Sequence, residues 1–124
     1  MKVLVATEKP FSKAAVDGIR TIVEEAGYEL ALLEKYTDVQ QFYDAVADAD
    51  ALIVRSDKVT KEVIDHANNL KIVVRAGAGF DNLDLAACTA KNIVAMNTPG
   101  QNSNAVAELA IGMMIYMARN TFKP

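Results

Sequence analysis

The sequence has little cysteine, histidine or proline, and it has no tryptophan. Its 124 residues include one Cys, one His and three Pro. A single cysteine, Cys88, cannot form an internal disulfide, which favours a reducing, cytoplasmic setting. With one cysteine and one histidine the chain offers no metal-ligand spacing, so we expect no metal site.

An excess of basic charge is also missing. The formal net charge is −3, and 52% of the residues are hydrophobic against 23% charged, as in an ordinary globular domain. Such a chain presents no basic field, so we expect neither nucleic acid nor a membrane as a partner. The longest apolar run is shorter than the roughly 18 residues of a membrane-spanning helix, and no secretory leader is expected. Any anionic ligand must therefore be captured by a few placed groups.

Strand-like and helix-like segments alternate five times along the chain. Short buried strands are predicted at 3–6, 29–33, 51–54, 72–74 and 93–95, separated by helices. This alternation predicts an α/β fold, with a parallel five-stranded sheet in the flavodoxin-like order 2-1-3-4-5 and helices on both faces. Ligands of such sheets bind beyond the carboxyl ends of the strands. The loops that follow the strands are therefore the candidate ligand loops.

The loop after the fourth predicted strand contains two glycines. It reads Arg75-Ala76-Gly77-Ala78-Gly79-Phe80-Asp81-Asn82. The glycines allow a tight turn whose backbone N–H groups can form a concave anion site, suited to a carboxylate. Asn82 stands where the dinucleotide fingerprint has its third glycine, so this loop is not that fingerprint. From the residues alone, a ligand loop and a turn that merely needs a positive φ are equally good interpretations.

Two arginines end neighbouring predicted strands. Arg55 follows the third strand and Arg75 follows the fourth. Two guanidinium groups at one edge of the sheet could clamp a phosphate or a carboxylate bidentately. The alternative is that each arginine pairs with a local carboxylate, such as Asp57 or Asp81, and serves only the fold.

The segment after the fifth predicted strand is polar at first and then almost entirely apolar. Residues 97–104 lead into a helix N-terminus, where an anion can bind, although capping of the helix by Asn102 or Ser103 is the simpler interpretation. Residues 103–118 predict a C-terminal apolar helix that is buried nearly all round. A small sheet cannot cover every face of such a helix. We therefore expect a second surface against it, and a homo-oligomer, for example a dimer.

Three stretches carry a resemblance to a known family. They are V-R-S-D-K-V-T at 54–60, V-R-A-G-A-G-F-D-N-L-D at 74–84 and N-T-P-G-Q-N-S-N-A-V-A-E-L at 97–109. Together and in this order they resemble the D-isomer-specific 2-hydroxyacid dehydrogenases, over essentially the whole chain. Within that family, V-R-S paired with R-A-G-x-G-x-D-N is most similar to the NAD-dependent members that oxidise 3-phospho-D-glycerate to 3-phosphohydroxypyruvate, the first step of serine biosynthesis.

The resemblance implies a set of substrate-binding residues. They are Arg55, Arg75, Ala76, Gly77, Ala78, Gly79, Asn102 and Ser103. The arginines would meet the substrate phosphate, and the glycine turn would offer backbone N–H groups to the substrate carboxylate. The last two residues would lie at the cleft between two domains. The expected ligand is thus a small phosphorylated 2-hydroxy acid.

The resemblance also implies parts that this chain does not contain. It has no G-x-G-x-x-G, and the family's catalytic arginine, glutamate and histidine have no counterpart, since His66 lies in a predicted helix far from the strand ends. We expect a truncated chain, with a substrate-binding domain at 1–101 and a linker helix at 102–124 that leads toward a nucleotide-binding domain. NAD would serve the parent enzyme, while this part would bind no cofactor and be inactive alone. The alternative is a free-standing flavodoxin-like anion-binding regulatory module.

Overall fold

The computed structural model of the chain describes residues 2–8, 12–55, 57–77, 82–98 and 103–121. Within these ranges, five strands alternate with five helices. The strands are β1 (Lys2–Thr7), β2 (Glu29–Glu34), β3 (Ala51–Val54), β4 (Ile72–Arg75) and β5 (Val94–Asn97). The helices are α1 (Lys13–Glu25), α2 (Val39–Val46), α3 (Lys61–His66), α4 (Leu85–Ala90) and α5 (Ser103–Thr121).

The strands form one parallel sheet in the order β2-β1-β3-β4-β5. This confirms the predicted α/β fold and its flavodoxin-like order. The central strand β3 is buried along its whole length, as expected of a parallel strand with helices on both faces. Four strands run further than hydropathy predicts, all of them except β3. Among the added residues, Arg75 at the end of β4 and Asn97 at the end of β5 are partners in the ladder. Backbone pairing holds these polar ends in place without any apolar side chain.

The helices begin at residues whose side chains satisfy the first backbone N–H groups. The Ser12 hydroxyl accepts a hydrogen bond from the backbone N–H of Ala15, and Asp38, Thr60 and Asp84 cap α2, α3 and α4 in the same way. After α1 the chain turns at Gly27, where φ is +79°, a value that glycine adopts without strain. These capping residues are local signals that are readable in the sequence.

Two apolar layers cover the sheet. One face packs against α2, α3 and α4, with the fully buried Phe42 and Ile64 among its largest side chains. The other face packs against α1, through Ile19 and Val23, and against the first half of α5. Both faces are therefore closed, and the ligand-accessible edges are those where the strands end.

Helix α5 packs on its own sheet through one stripe of side chains. Val106, Ala107, Ala110 and Ile111 are buried against α1, β3 and β4, whereas Glu108 is exposed. Three predictions about this region stay predictions. They are the domain division between residues 101 and 102, the packing of a second surface against α5, and the formation of a homo-oligomer. In the part of the chain that the structure describes, no helix is both long and apolar enough to cross a membrane.

Candidate anion-binding site

The carboxyl ends of β3 and β4 bring the two predicted arginines together. Val54 lies opposite Arg75 in the parallel ladder, so Arg55 follows one residue beyond this pair. The Arg75 Nε–H donates a hydrogen bond of 3.1 Å to the backbone carbonyl of Arg55. Arg55 is exposed and Arg75 is half-buried. One guanidinium group is thus tied directly to the backbone that carries the other.

The glycine turn starts immediately after this pair. The Ala76 N–H donates to the carbonyl of Val54 at 2.7 Å, and the Gly77 N–H donates to that of Arg75 at 3.0 Å. Gly77 has φ of +157°, which residues with a side chain rarely adopt. A Cβ there would lie 3.7 Å from Arg75 Nε, an ordinary contact, so the requirement for glycine is conformational.

Four of the eight predicted site residues thus lie together at this edge: Arg55, Arg75, Ala76 and Gly77. Ala78, Gly79 and Asn102 lie outside the described residues. Ser103 is the first residue of α5. The contribution of all eight residues to an anion site stays a prediction.

Thr98 is a residue of this edge that the sequence did not single out. It is 5% exposed, and both its N–H and its hydroxyl donate to the Arg75 carbonyl, at 3.0 and 3.1 Å. Its N–H is also 3.2 Å from the carbonyl of Gly77. Thr98 therefore fastens the start of the glycine turn to the end of β5. A threonine directly after a strand gives only a weak signal in a sequence.

A buried carboxylate organises the neighbouring ends of β1 and β3. Asp57 is 6% exposed, and its Oδ2 accepts hydrogen bonds from the Glu8 N–H at 2.8 Å and from the Tyr36 hydroxyl at 2.6 Å. Burial raises the pKa of Tyr36 well above its usual range, and the hydrogen bond to Asp57 and the negative charges of Asp57 and Glu8 raise it further. Tyr36 therefore stays protonated and acts as a fixed donor to Asp57.

His66 and Cys88 do not belong to this site. His66 ends α3 near the start of β4, at the opposite edge of the sheet, where its ring stacks on Tyr43 with centroids 4.2 Å apart. Cys88 is 1% exposed in the core, and burial raises the pKa of its thiol, which keeps it unreactive. Among the described residues, no group of three or more His, Cys, Asp or Glu is placed to hold a metal ion.

The described residues of the glycine turn do not fit a dinucleotide. A dinucleotide fingerprint runs from its third glycine directly into a helix, whose N-terminus meets the pyrophosphate. Here the third position is Asn82, whose side chain is bonded to the backbone of Arg55 and Asp57. The chain then makes a β-bridge at Leu83 before the short helix α4 begins. The edge is suited to a small anion.

The fold is an α/β domain whose candidate ligand loops lie at the carboxyl ends of its parallel strands. Residues 6–121 match the model of the D-isomer specific 2-hydroxyacid dehydrogenase catalytic domain, and the chain belongs to this family. The resemblance predicted from the three sequence stretches is thereby confirmed.

Three individual proteins show which members of the family this chain is similar to. The D-3-phosphoglycerate dehydrogenase of Methanocaldococcus jannaschii is 44% identical over 100 residues, which are 80% of this chain and 19% of that protein. The hydroxypyruvate reductase of Thermotoga maritima is 40% identical over 93 residues, 74% of this chain and 30% of that protein. The crystal structure of NAD+-bound 3-phosphoglycerate dehydrogenase from Entamoeba histolytica superimposes with a TM-score of 0.80 at 54% identity, and covers 100% of this chain and 41% of that one. The chain thus spans less than half the length of each of these proteins.

Proposed function

We propose that this chain is the substrate-binding part of an NAD-dependent D-3-phosphoglycerate dehydrogenase. The parent enzyme would oxidise 3-phospho-D-glycerate to 3-phosphohydroxypyruvate, the first step of serine biosynthesis, as a cytoplasmic homo-oligomer. The likeness to two 3-phosphoglycerate dehydrogenases supports this assignment. In this role Arg55 and Arg75 contact the substrate phosphate, and the glycine turn that starts at Ala76 contacts the carboxylate through N–H groups other than those of Ala76 and Gly77, which already donate to the Val54 and Arg75 carbonyls.

The observation that carries the proposal is the arginine pair at adjacent strand ends, tied together through Arg75 Nε and the Arg55 carbonyl. The chain's net charge is −3, so it does not attract anions in general. A substrate with both a phosphate and a carboxylate suits an edge that offers an arginine pair beside a glycine turn. Hydroxypyruvate carries only a carboxylate, which the turn alone could hold. The second guanidinium group therefore favours the phosphorylated substrate.

The contribution of this chain to catalysis is binding and orientation. Holding the phosphate and the carboxylate at two separate points fixes the substrate in one orientation. Part of the entropy that the reaction would otherwise lose on reaching the transition state is then already lost when the substrate binds. NAD would accept the hydride in the parent enzyme. Because the described residues do not fit a dinucleotide, we assign cofactor binding and proton transfer to residues outside this chain. The proposed part acts by ground-state binding and by domain closure over the site.

Calorimetric titration of the 124-residue chain tests this proposal. We expect 3-phospho-D-glycerate to bind roughly ten- to a hundredfold more tightly than D-glycerate or hydroxypyruvate, because a charge-assisted contact is worth about 1.5–3 kcal/mol. Arg75→Ala should remove most of that difference. Arg20→Ala, at an exposed position of α1, is the matched control and should leave it unchanged. Equal affinities for the phosphorylated and unphosphorylated acids would refute the assignment of the arginines.

A further inference from the structure

The carbonyl of Arg55 accepts hydrogen bonds from two side chains. One donor is Arg75 Nε at 3.1 Å, and the other is Asn82 Nδ2 at 3.3 Å. The same Asn82 amide also donates to the Asp57 carbonyl at 2.7 Å. The side chain of Asn82 thus bridges the backbone on either side of position 56, and it shares its acceptor with Arg75.

The orientation of this amide follows from its partners. Both partners are carbonyl oxygens, which only accept, so the Asn82 nitrogen must face them and uses both of its N–H groups. Its Oδ1 is buried and has no hydrogen-bond partner among the described residues. Leaving a buried acceptor without a partner costs free energy. The two hydrogen bonds that the Asn82 nitrogen donates offset this cost.

The backbone of Asn82 is fastened to the same segment. Its carbonyl accepts from the Val59 N–H at 2.8 Å, and the Val59 carbonyl accepts from the Asp84 N–H at 2.9 Å. The start of the glycine turn is held by the bond from the Ala76 N–H to the Val54 carbonyl. Both ends of the turn are thus closed onto the chain that leaves β3.

We propose that Asn82 is a positioning residue for the anion site. It holds the Arg55 carbonyl where the Arg75 Nε–H can donate to it, and so aims the Arg75 guanidinium group at the ligand phosphate. The role in ligand binding rests on the proposed function, whereas the hold on Arg75 does not. It also accounts for an asparagine at the place where a dinucleotide loop has its third glycine, because a glycine there could not bridge the two carbonyls.

Binding of 3-phospho-D-glycerate to variants of the chain tests the role of Asn82 in ligand binding. Asn82→Ala should weaken binding roughly three- to tenfold, the loss expected for hydrogen bonds between neutral groups. Asn82→Asp should weaken it more, because a carboxylate would face two carbonyl oxygens. Asn68→Ala, at an exposed position in the loop before β4 and at the opposite edge of the sheet, is the control and should have no effect.

A double-mutant cycle separates positioning from a general loss of structure. If Asn82 acts through Arg75, then Asn82→Ala should have little further effect on affinity in an Arg75→Ala background. Equal effects in the two backgrounds would contradict the proposal. If Asn82→Ala does not fold, Asn82→Ser, which keeps one short donor, replaces it in the same cycle.

A measurement without ligand tests the hold on Arg75 and stands even if the chain binds no phosphoglycerate. In the ¹H–¹⁵N spectrum the Arg75 Nε–H should exchange slowly with solvent, because it is hydrogen-bonded. Asn82→Ala, or Asn82→Ser, should speed this exchange at least severalfold, while Asn68→Ala should not. If the unsubstituted chain does not bind 3-phospho-D-glycerate, the proposed function alone is refuted. Unchanged exchange of the Arg75 Nε–H in a folded Asn82 variant would overturn the positioning role itself.

Discussion

Removing the Tyr36 hydroxyl tests whether the buried Asp57 carboxylate organises the ends of β1 and β3. The Tyr36 hydroxyl lies 2.6 Å from Asp57 Oδ2, and Asp57 is 6% exposed. A hydrogen bond to a charged group contributes about 1.5–3 kcal/mol when fully shielded. Tyr36 itself is only half-buried, so in Tyr36→Phe a water molecule can partly replace the lost hydroxyl as a donor to Asp57. We therefore expect Tyr36→Phe to lower the free energy of unfolding by about 1–2 kcal/mol.

Urea denaturation at neutral pH measures this loss. Tyr28→Phe is the matched control, because Tyr28 is also half-buried and no hydrogen bond of its hydroxyl is found among the described residues. The control should stay within about 0.5 kcal/mol of the parent chain. If Tyr36→Phe loses no more stability than Tyr28→Phe, the Asp57 carboxylate does not depend on the tyrosine, and the description of this cluster is wrong.

The raised pKa of Tyr36 adds a pH dependence with a definite sign. Below pH 10 or so, both the folded and the unfolded chain hold the tyrosine proton. Above that pH the unfolded chain releases the proton first, so the free energy of unfolding falls as the pH rises. A fully shielded group would contribute about 1.4 kcal/mol per pH unit, and the half-exposed Tyr36 should contribute less because solvent screens its interactions. In Tyr36→Phe the alkaline decline should be shallower by this amount. An identical decline in both proteins would contradict the assignment.

Two further predictions concern α5 and the core. Val106→Ala should lower the free energy of unfolding by about 1.5–3 kcal/mol, because Val106 is 1% exposed between α5 and the sheet, and urea denaturation showing no loss would mean that α5 does not pack there. The Cys88 thiol should react with a disulfide reagent only when the chain unfolds, because burial raises its pKa and shields it. Labelling that is fast in the native chain and independent of urea would contradict the buried position.

The fold was largely predictable because its signals are local. Apolar runs of strand length alternate with helical periodicity, and capping side chains such as Ser12 and Asp38 mark the helix starts. The polar ends of β4 and β5 were not predictable in the same way. Arg75 and Asn97 belong to the sheet only because their backbones pair, which leaves no trace in hydropathy.

The candidate site was only half predictable, for a related reason. The arginines and the glycine turn stand out in the sequence because the residue types themselves suggest chemistry. The contacts in the neighbourhood of the site depend on topology: Tyr36 meets Asp57 only because β1 lies between β2 and β3, which brings residues 21 positions apart to one edge. Asn82 was noted in the sequence for not being a glycine. Its two hydrogen bonds become visible only when the turn is closed onto the end of β3.

The central claim is that the adjacent ends of β3 and β4 hold the phosphate of the substrate. The most direct test compares ¹H–¹⁵N spectra of the chain during titration with 3-phospho-D-glycerate and with D-glycerate. We predict that 3-phospho-D-glycerate shifts the side-chain Nε–H signals of Arg55 and Arg75 together with the Gly77 amide. D-glycerate, which lacks the phosphate, should shift the Gly77 amide and leave the arginine signals in place. Arginine signals that respond equally to both acids, or to neither, would contradict the claim.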